Sequence, residues 1–389
     1  MPVIAKRLTQ LPEYVFAKIS REVRAMQDAG IDIIRMDIGS PDLPPPDFVM
    51  DALNSSARKD NHHGYSGYSG IPRFREGVAR YYRKRFEVDL NPNTEILPLI
   101  GSKEGIINLI LAYVDSGDIA LVPEIGYPSY AMGTTLAGGD VCYVSMPASK
   151  GFLLDLDSIP SDVAQKAKIL WCNYPNNPTG AIADKGFYGT LVQFCKEYDI
   201  VLASDNPYCD VAYDGYRAPS LLEIDGAKDV AVEFMSMSKT FNMAGWRLGA
   251  AVGNADILKN LLKVKSNVDS GHFIPAYDAG IKAMDDLTDE WLAERNAIYQ
   301  ARRDVVMAGL DDVGLSAVMP KASLYIWARS EDMPALDYVN QARDHAHVSL
   351  APGAAYGPGG DDYIRISVTN TADRLQEGME RLQTWYNNR

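Results

Sequence analysis

The sequence predicts an α/β fold, a large domain on a mostly parallel sheet joined to a smaller α+β domain. Three observations lead there. The 389 residues exceed what a single core of ordinary size accommodates. From about residue 100 to 285, helical stretches alternate with short apolar runs, the pattern of strands covered on both faces. Beyond residue 286 a long charged helix precedes two separate strand-like runs.

In chain order, EYVFAKISREVRAMQDAG places Phe16, Ile19, Val23 and Met26 at helical spacing and stops at Gly30, a residue suited to the position just past a helix end. IDIIRMDIG reads as a strand. SPDLPPPD follows, and proline at that density forces an extended crossing. The helix GIINLILAYV lies among seven apolar runs, ILPLI, IALV, VCYV, KILWC, IVLAS, VAVEFMS and LGAAVG. The second domain contains the helix DEWLAERNAIYQARRDVVMAGL and the runs SLYIWA and YIRISV. Residues 1–45 are expected to supply an arm and part of the small domain, 46–285 the large domain, and 286–389 the rest of the small one.

Composition narrows the function. Hydrophobic residues make up 47% and charged residues 23%, as in soluble globular proteins. A net charge of −13 opposes non-specific attachment to nucleic acid or anionic membranes, while leaving room for a local basic pocket. MPVIAKRLTQLPEY lacks a signal-peptide apolar core, and no run is long enough to span a bilayer. Cys142, Cys172, Cys195 and Cys209 are scattered without a CxxC pair, so reduced thiols in the cytoplasm are expected. His62 and His63 have no further ligand at metal-binding spacing, and no metal is expected.

Polar residues fall just after the apolar strands, where α/β sheets place their chemistry. GSKEG follows ILPLI, NYPNNPTG follows KILWC, Asp205 and Tyr208 follow VLAS, and SMSK follows VAVEFM. In SMSKTFNMAGWRLG a lysine sits among hydroxyl-bearing residues, with an arginine eight positions on, an arrangement suited to a phosphorylated aldehyde.

Together, IGSPD, YSGYSGIPRFRE, GSKEG, GYPSY, NNPTG, SDNPY, SMSKTFNMAGWRLG and YIRIS, in this order over nearly the whole chain, resemble the aspartate aminotransferase superfamily. These are fold-type I enzymes that use pyridoxal 5′-phosphate (PLP). The resemblance implies a seven-stranded, mostly parallel sheet, a small domain built from both chain ends, and a homodimer with a shared active site. Lys239 would hold the PLP aldehyde and, once freed, act as the base at the substrate Cα; to do so its amine must be neutral. The phosphate would lie against Gly101, Ser102 and Lys103 at a helix start, with Ser236, Arg247 and, from the neighbouring subunit, Tyr65. Asp205 would pair with the ring nitrogen, Asn177 and Tyr208 would donate to the ring's phenolate oxygen, and Tyr127 would stack over the ring. Tyr130 reads as a core tyrosine. Arg365 would grip the substrate α-carboxylate as a fork, with Asn177 and the backbone of Gly39 beside it. The implied reaction moves an amino group between an L-amino acid and a 2-oxo acid in a ping-pong cycle.

Within the superfamily, YPNNPTGA, AYDGYRAPSLLEIDGAKDV, SKTFNMAGWRLG and KSNVDSG, together with Lys103, are similar to the LL-diaminopimelate aminotransferase group. Met235 stands where that group has histidine, and HFIPAY also departs from it. SNVDSGHFIPAY contains no arginine for a distal carboxylate, which sets aspartate second, with alanine, methionine or aromatic substrates open. A PLP-dependent lyase or oxidase would share the same cradle. Acyl transfer by an SxxK serine would call for a KTG triplet, which the chain lacks. A PLP-binding regulator would need an appended DNA-binding module, whereas both chain ends are consumed by the fold.

Overall fold

The computed structural model describes residues 2–389. The chain enters through the helix Val15–Asp28. Gly30 ends it as expected: at φ +85° it lets its own N–H reach Gln27 O (2.9 Å) and that of Ile31 reach Met26 O (3.1 Å), satisfying two terminal carbonyls. The strand expected over IDIIRMDIG shrinks to β1 (Ile34–Arg35). Immediately beyond it, Met36 donates to Ser349 O but accepts from Ser367 N, so its bonds already go to two different segments.

Seven strands then build the large sheet: β2 (Ile96–Leu99), β3 (Ile119–Pro123), β4 (Asp140–Val144), β5 (Ala167–Cys172), β6 (Val201–Asp205), β7 (Ala231–Ser236) and β8 (Gly249–Gly253). Their order across the sheet is β2-β8-β7-β6-β5-β3-β4. Only β8 runs against its neighbours. β5 to β7 are almost wholly buried, and their side chains divide by alternation. Leu170, Cys172, Leu202 and Met235 enter the core on one face, whereas Ile169, Trp171, Ala203 and Phe234 enter the core on the other. Burial of both faces explains why these strands read as mostly apolar runs, with Lys168 and Glu233 the charged residues inside them.

The long helix Asp289–Ala308 leads to β9 (Leu315–Ala317), β10 (Tyr325–Ser330), β11 (Val348–Ser349), β12 (Ala351–Pro352) and β13 (Tyr363–Ser367). An antiparallel sheet, β12-β13-β10-β9, packs against the helix Ala372–Asn387 through Ile364, Ile366, Leu375 and Leu382. β11 pairs in parallel with β1, Ile34 opposite Val348, so the first strand of the chain joins the C-terminal region. No helix among the described residues is long and apolar enough to cross a membrane.

Candidate active site

The parallel relation of β2, β5, β6 and β7 brings their C-terminal ends to one edge of the sheet, and a cleft of about 340 Å³ opens there. After β2, the helix Ser102–Tyr113 starts at Gly101, which has φ +75°. A Cβ at Gly101 would run into the Arg247 guanidinium, so glycine is required on both backbone and spatial grounds. Glu104 accepts from Ile100 N (3.1 Å) and lies 3.6 Å from the buried Lys265, which steadies this turn. Arg247 adopts φ +56° and donates to Ala244 O (2.8 Å). His272 backs it, with Nε2 2.9 Å from Trp246 O and 3.0 Å from Arg247 O. Carbonyls only accept, so that nitrogen carries the proton. Across the turn, the Lys103 ammonium lies 5.0 Å from the Tyr14 ring and 5.7 Å from the Tyr127 ring.

Asp205 closes β6 and is 5% exposed. Tyr130 donates to its Oδ2 at 2.7 Å, while Oδ1 is buried without a partner. Burial raises its pKa to about 7, against the lowering effects of the Tyr130 bond and of Lys239. Asn173, just after β5, donates to the Asp205 carbonyl (2.5 Å) and accepts from Asn177 N (2.8 Å). Tyr130 is buried, as a core residue should be, and its ring stacks on Trp171 at 4.8 Å and 9°. Its hydroxyl nonetheless serves the site, which the core reading missed.

Ser236 caps the short helix Met237–Thr240, accepting from Ser238 N at 3.2 Å, and this helix presents Lys239 to the cleft. The Lys239 amine donates to the Gly39 carbonyl and lies 6.0 Å from the Tyr208 ring. Desolvation lowers its pKa, and Arg365 and Arg247 lower it further, outweighing the opposing pull of Tyr325 and Asp205. The hydroxyls of Tyr208 and Tyr325 are 2.9 Å apart. Burial and Tyr325 hold Tyr208 well above the ordinary phenol value. Burial opposes ionisation of Tyr325 too, but Lys239 and Arg365 outweigh it and bring that hydroxyl below the ordinary value.

Arg365 lies on β13, opposite Trp327, and is 4% exposed. Nη1 donates to Asn177 Oδ1 (3.1 Å) and Nη2 to Asp37 O (2.6 Å), while Nε has no partner. The rings of Tyr325 (4.1 Å) and Tyr356 (5.0 Å) flank the guanidinium. A buried cation without a carboxylate is costly in isolation, so this one is suited to an anionic ligand. A Cβ on Gly39 would collide with the Tyr325 hydroxyl, so glycine there is required by that tyrosine.

The residues fit PLP. Five basic side chains line the cleft (Arg35, Lys103, Lys239, Arg247 and Arg365) against two acidic ones, Asp37 and Asp205, in a protein with net charge −13. Asp37 binds Arg35 with both oxygens at 2.6 Å. The remaining cations suit a phosphate and a carboxylate. The unpartnered, buried Oδ1 of Asp205 is an acceptor awaiting an N–H, which a protonated pyridine supplies.

The structure brings Gly39, Ser102, Lys103, Tyr127, Asn177, Asp205, Tyr208, Ser236, Lys239, Arg247 and Arg365 to this one cleft. It leaves Tyr65 out, on a separate loop and 91% exposed. His62 instead joins Ser56 (2.8 Å) and Asp278 (3.4 Å) in a surface cluster. Tyr325 and Tyr356 belong to the site but carried no signal, SLYIWA reading only as a strand, whereas Asn173 opens NYPNNPTG, which marked the site without singling that residue out.

Comparison with known proteins gives the family. Residues 31–382 match the model of the family "Aminotransferase class I and II". The LL-diaminopimelate aminotransferase of Moorella thermoacetica is 45% identical over 380 residues, 97% of each chain. Among solved structures, apo-BacF from Bacillus subtilis has a TM-score of 0.95 and 34% identity, covering 99% of this chain and 98% of that one. A single mutant of Thermus thermophilus aspartate aminotransferase gives 0.92 and 25%, covering 99% and 100%. The chain belongs to the class I and II aminotransferases, enzymes of fold type I that depend on PLP.

Proposed function

We propose that this aminotransferase acts on LL-diaminopimelate, with 2-oxoglutarate as the partner 2-oxo acid. The observation that carries the reading is the 45% identity with the Moorella enzyme along 97% of both chains. Aspartate stands second: Arg35, a further guanidinium in the cleft, is already bound by Asp37. We also propose a cytoplasmic homodimer in which Tyr65 completes the partner's phosphate site, and the division of the chain at residues 45 and 285.

PLP, when bound, supplies an aldehyde that takes up amines and a protonated ring that draws electrons from the substrate Cα. The protein's residues do the rest. Arg365, with Asn177 beside it, holds the substrate α-carboxylate and so fixes the Cα–H bond relative to Lys239. The lowered pKa of Lys239 favours the neutral amine, the form that can take the Cα proton. Asp205, held by Tyr130 and Asn173, keeps the ring nitrogen protonated. Gly101, Ser102, Ser236 and Arg247 anchor the phosphate through backbone N–H, hydroxyl and guanidinium donors.

The test is the absorbance of PLP-loaded protein mixed with one amino acid at a time and no 2-oxo acid. The panel is LL-diaminopimelate, aspartate, glutamate, alanine, methionine and phenylalanine. Conversion to pyridoxamine phosphate fastest with LL-diaminopimelate is expected. A faster response to another amino acid reassigns the substrate, and turnover without pyridoxamine phosphate would replace transamination by lyase or oxidase chemistry.

A further inference from the structure

The helix Asp289–Ala308 carries three buried arginines, two of which, Arg295 and Arg302, lie seven residues apart. At 3.6 residues per turn they share a face, about 10 Å apart along the axis. Arg302 meets a carboxylate in the expected way, with Nη1 and Nη2 2.7 and 2.9 Å from the two oxygens of Asp42. Arg295 instead donates to three backbone carbonyls: Lys239 (2.7 Å), Thr240 (3.0 Å) and Asp210 (2.6 Å). Carbonyls compensate a buried cation less fully than a carboxylate does, so packing alone does not account for a guanidinium here. Two of the three carbonyls end the short helix that presents Lys239, where orphan acceptors need donors.

Both arginines lead to the same amine. Arg295 holds the Lys239 backbone. Arg302 holds Asp42, three residues after Gly39, whose carbonyl accepts from Lys239 Nζ. Asn242 adds a cross-link, donating to Pro44 O at 3.2 Å. The bonds therefore close a ring from the helix to Lys239, across to the Gly39 loop and back to the helix.

We propose that this helix is a strut that sets the reach of Lys239, with Arg295, Arg302 and Asp42 as positioning residues for its amine. Arg295 fixes where the lysine begins, and Arg302, through Asp42, fixes the carbonyl that receives its tip. The inference rests on Lys239 being the lysine that takes PLP.

The test uses full-length protein stripped of cofactor, in the parent, Arg295→Lys, Asp42→Asn and double-variant forms. PLP capture is followed by absorbance across pH, and the product is trapped with borohydride and mapped to a peptide. Displacements of order 1 Å cost up to about a hundredfold in such reactions, so each single change is expected to slow capture about tenfold. The double variant should lose less than the product of the two losses, because both act on one amine. In Asp42→Asn the pH midpoint of capture should fall, since a carbonyl acceptor favours the charged amine. Trapping on Lys239 with parent-like rates and midpoints overturns the strut alone, as do losses that multiply or that match a loss of folded protein. Trapping elsewhere in the parent overturns the lysine assignment and the strut with it. Should Arg295→Lys fail to fold, Asp42→Asn carries the test, since its side chain is 28% exposed.

Discussion

Tyr130 donates to Asp205 Oδ2 at 2.7 Å and leaves Oδ1 as the only oxygen of that carboxylate without a partner. The tyrosine thereby selects which oxygen faces a ligand and favours the charged carboxylate against its burial. Tyr130→Phe preserves the stack on Trp171 and removes only the donor. It should weaken PLP binding by about tenfold, the worth of one hydrogen bond to a charged group. Equilibrium fluorescence titration with PLP measures this; an unchanged affinity would return Tyr130 to a packing role.

The raised pKa of Asp205 has a definite sign. Between its ordinary value of 3.8 and about 7, the folded cofactor-free protein holds a proton there that the unfolded chain has lost. Its contribution to stability should therefore fall as pH rises from about 4 to about 7 and level off above. Thermal melts across this range should show the decline in the parent. The same melts on Asp205→Asn should lack that component.

Gly101→Ala would force a left-handed φ on an alanine and push its methyl group into Arg247. PLP affinity is expected to drop by at least about tenfold, with a smaller change in the melting temperature of the cofactor-free form. Retained affinity would place the phosphate elsewhere.

Arg365→Lys keeps the charge and loses the fork. KM should rise roughly thirtyfold, about 2 kcal/mol, and by a similar factor for each amino acid accepted, because the α-carboxylate is common to all. Steady-state kinetics over the amino-acid panel decide this. A rise confined to one substrate would mean that Arg365 reads the side chain.

Mixed dimers test the exposed Tyr65. If it serves the neighbouring site, dimers of Lys239→Ala and Tyr65→Ala subunits contain one intact site, and activity should return on mixing after mild dissociation. Activity no higher than that of the Tyr65→Ala subunits alone would leave each site complete within its own chain.

The large sheet was legible because β5 to β7 are buried on both faces and are therefore mostly apolar, broken only by Lys168, Ser204, Asp205, Glu233 and Ser236. β11 and β12, at two residues each, are too short to show any period. Lys239, Asp205 and Arg247 stood out because they interrupt or follow apolar runs at strand ends. Tyr130, Tyr325 and Arg295 left no such mark. Their roles arise from contacts between distant segments, such as Tyr325 with Tyr208 or Arg295 with Lys239, which local spacing does not encode.

The pairing of Ile34 with Val348 also bears on how the protein is made. At ribosomal speeds of about 5–20 residues per second, β1 emerges roughly tens of seconds before its partner exists. The large sheet contains none of β1 or β9–β13 and has its strands to hand well before then. Asp37, just past β1, and Arg365 meet only after β13 has been made. A nascent chain thus acquires the cradle for its cofactor before it acquires the means to hold a substrate.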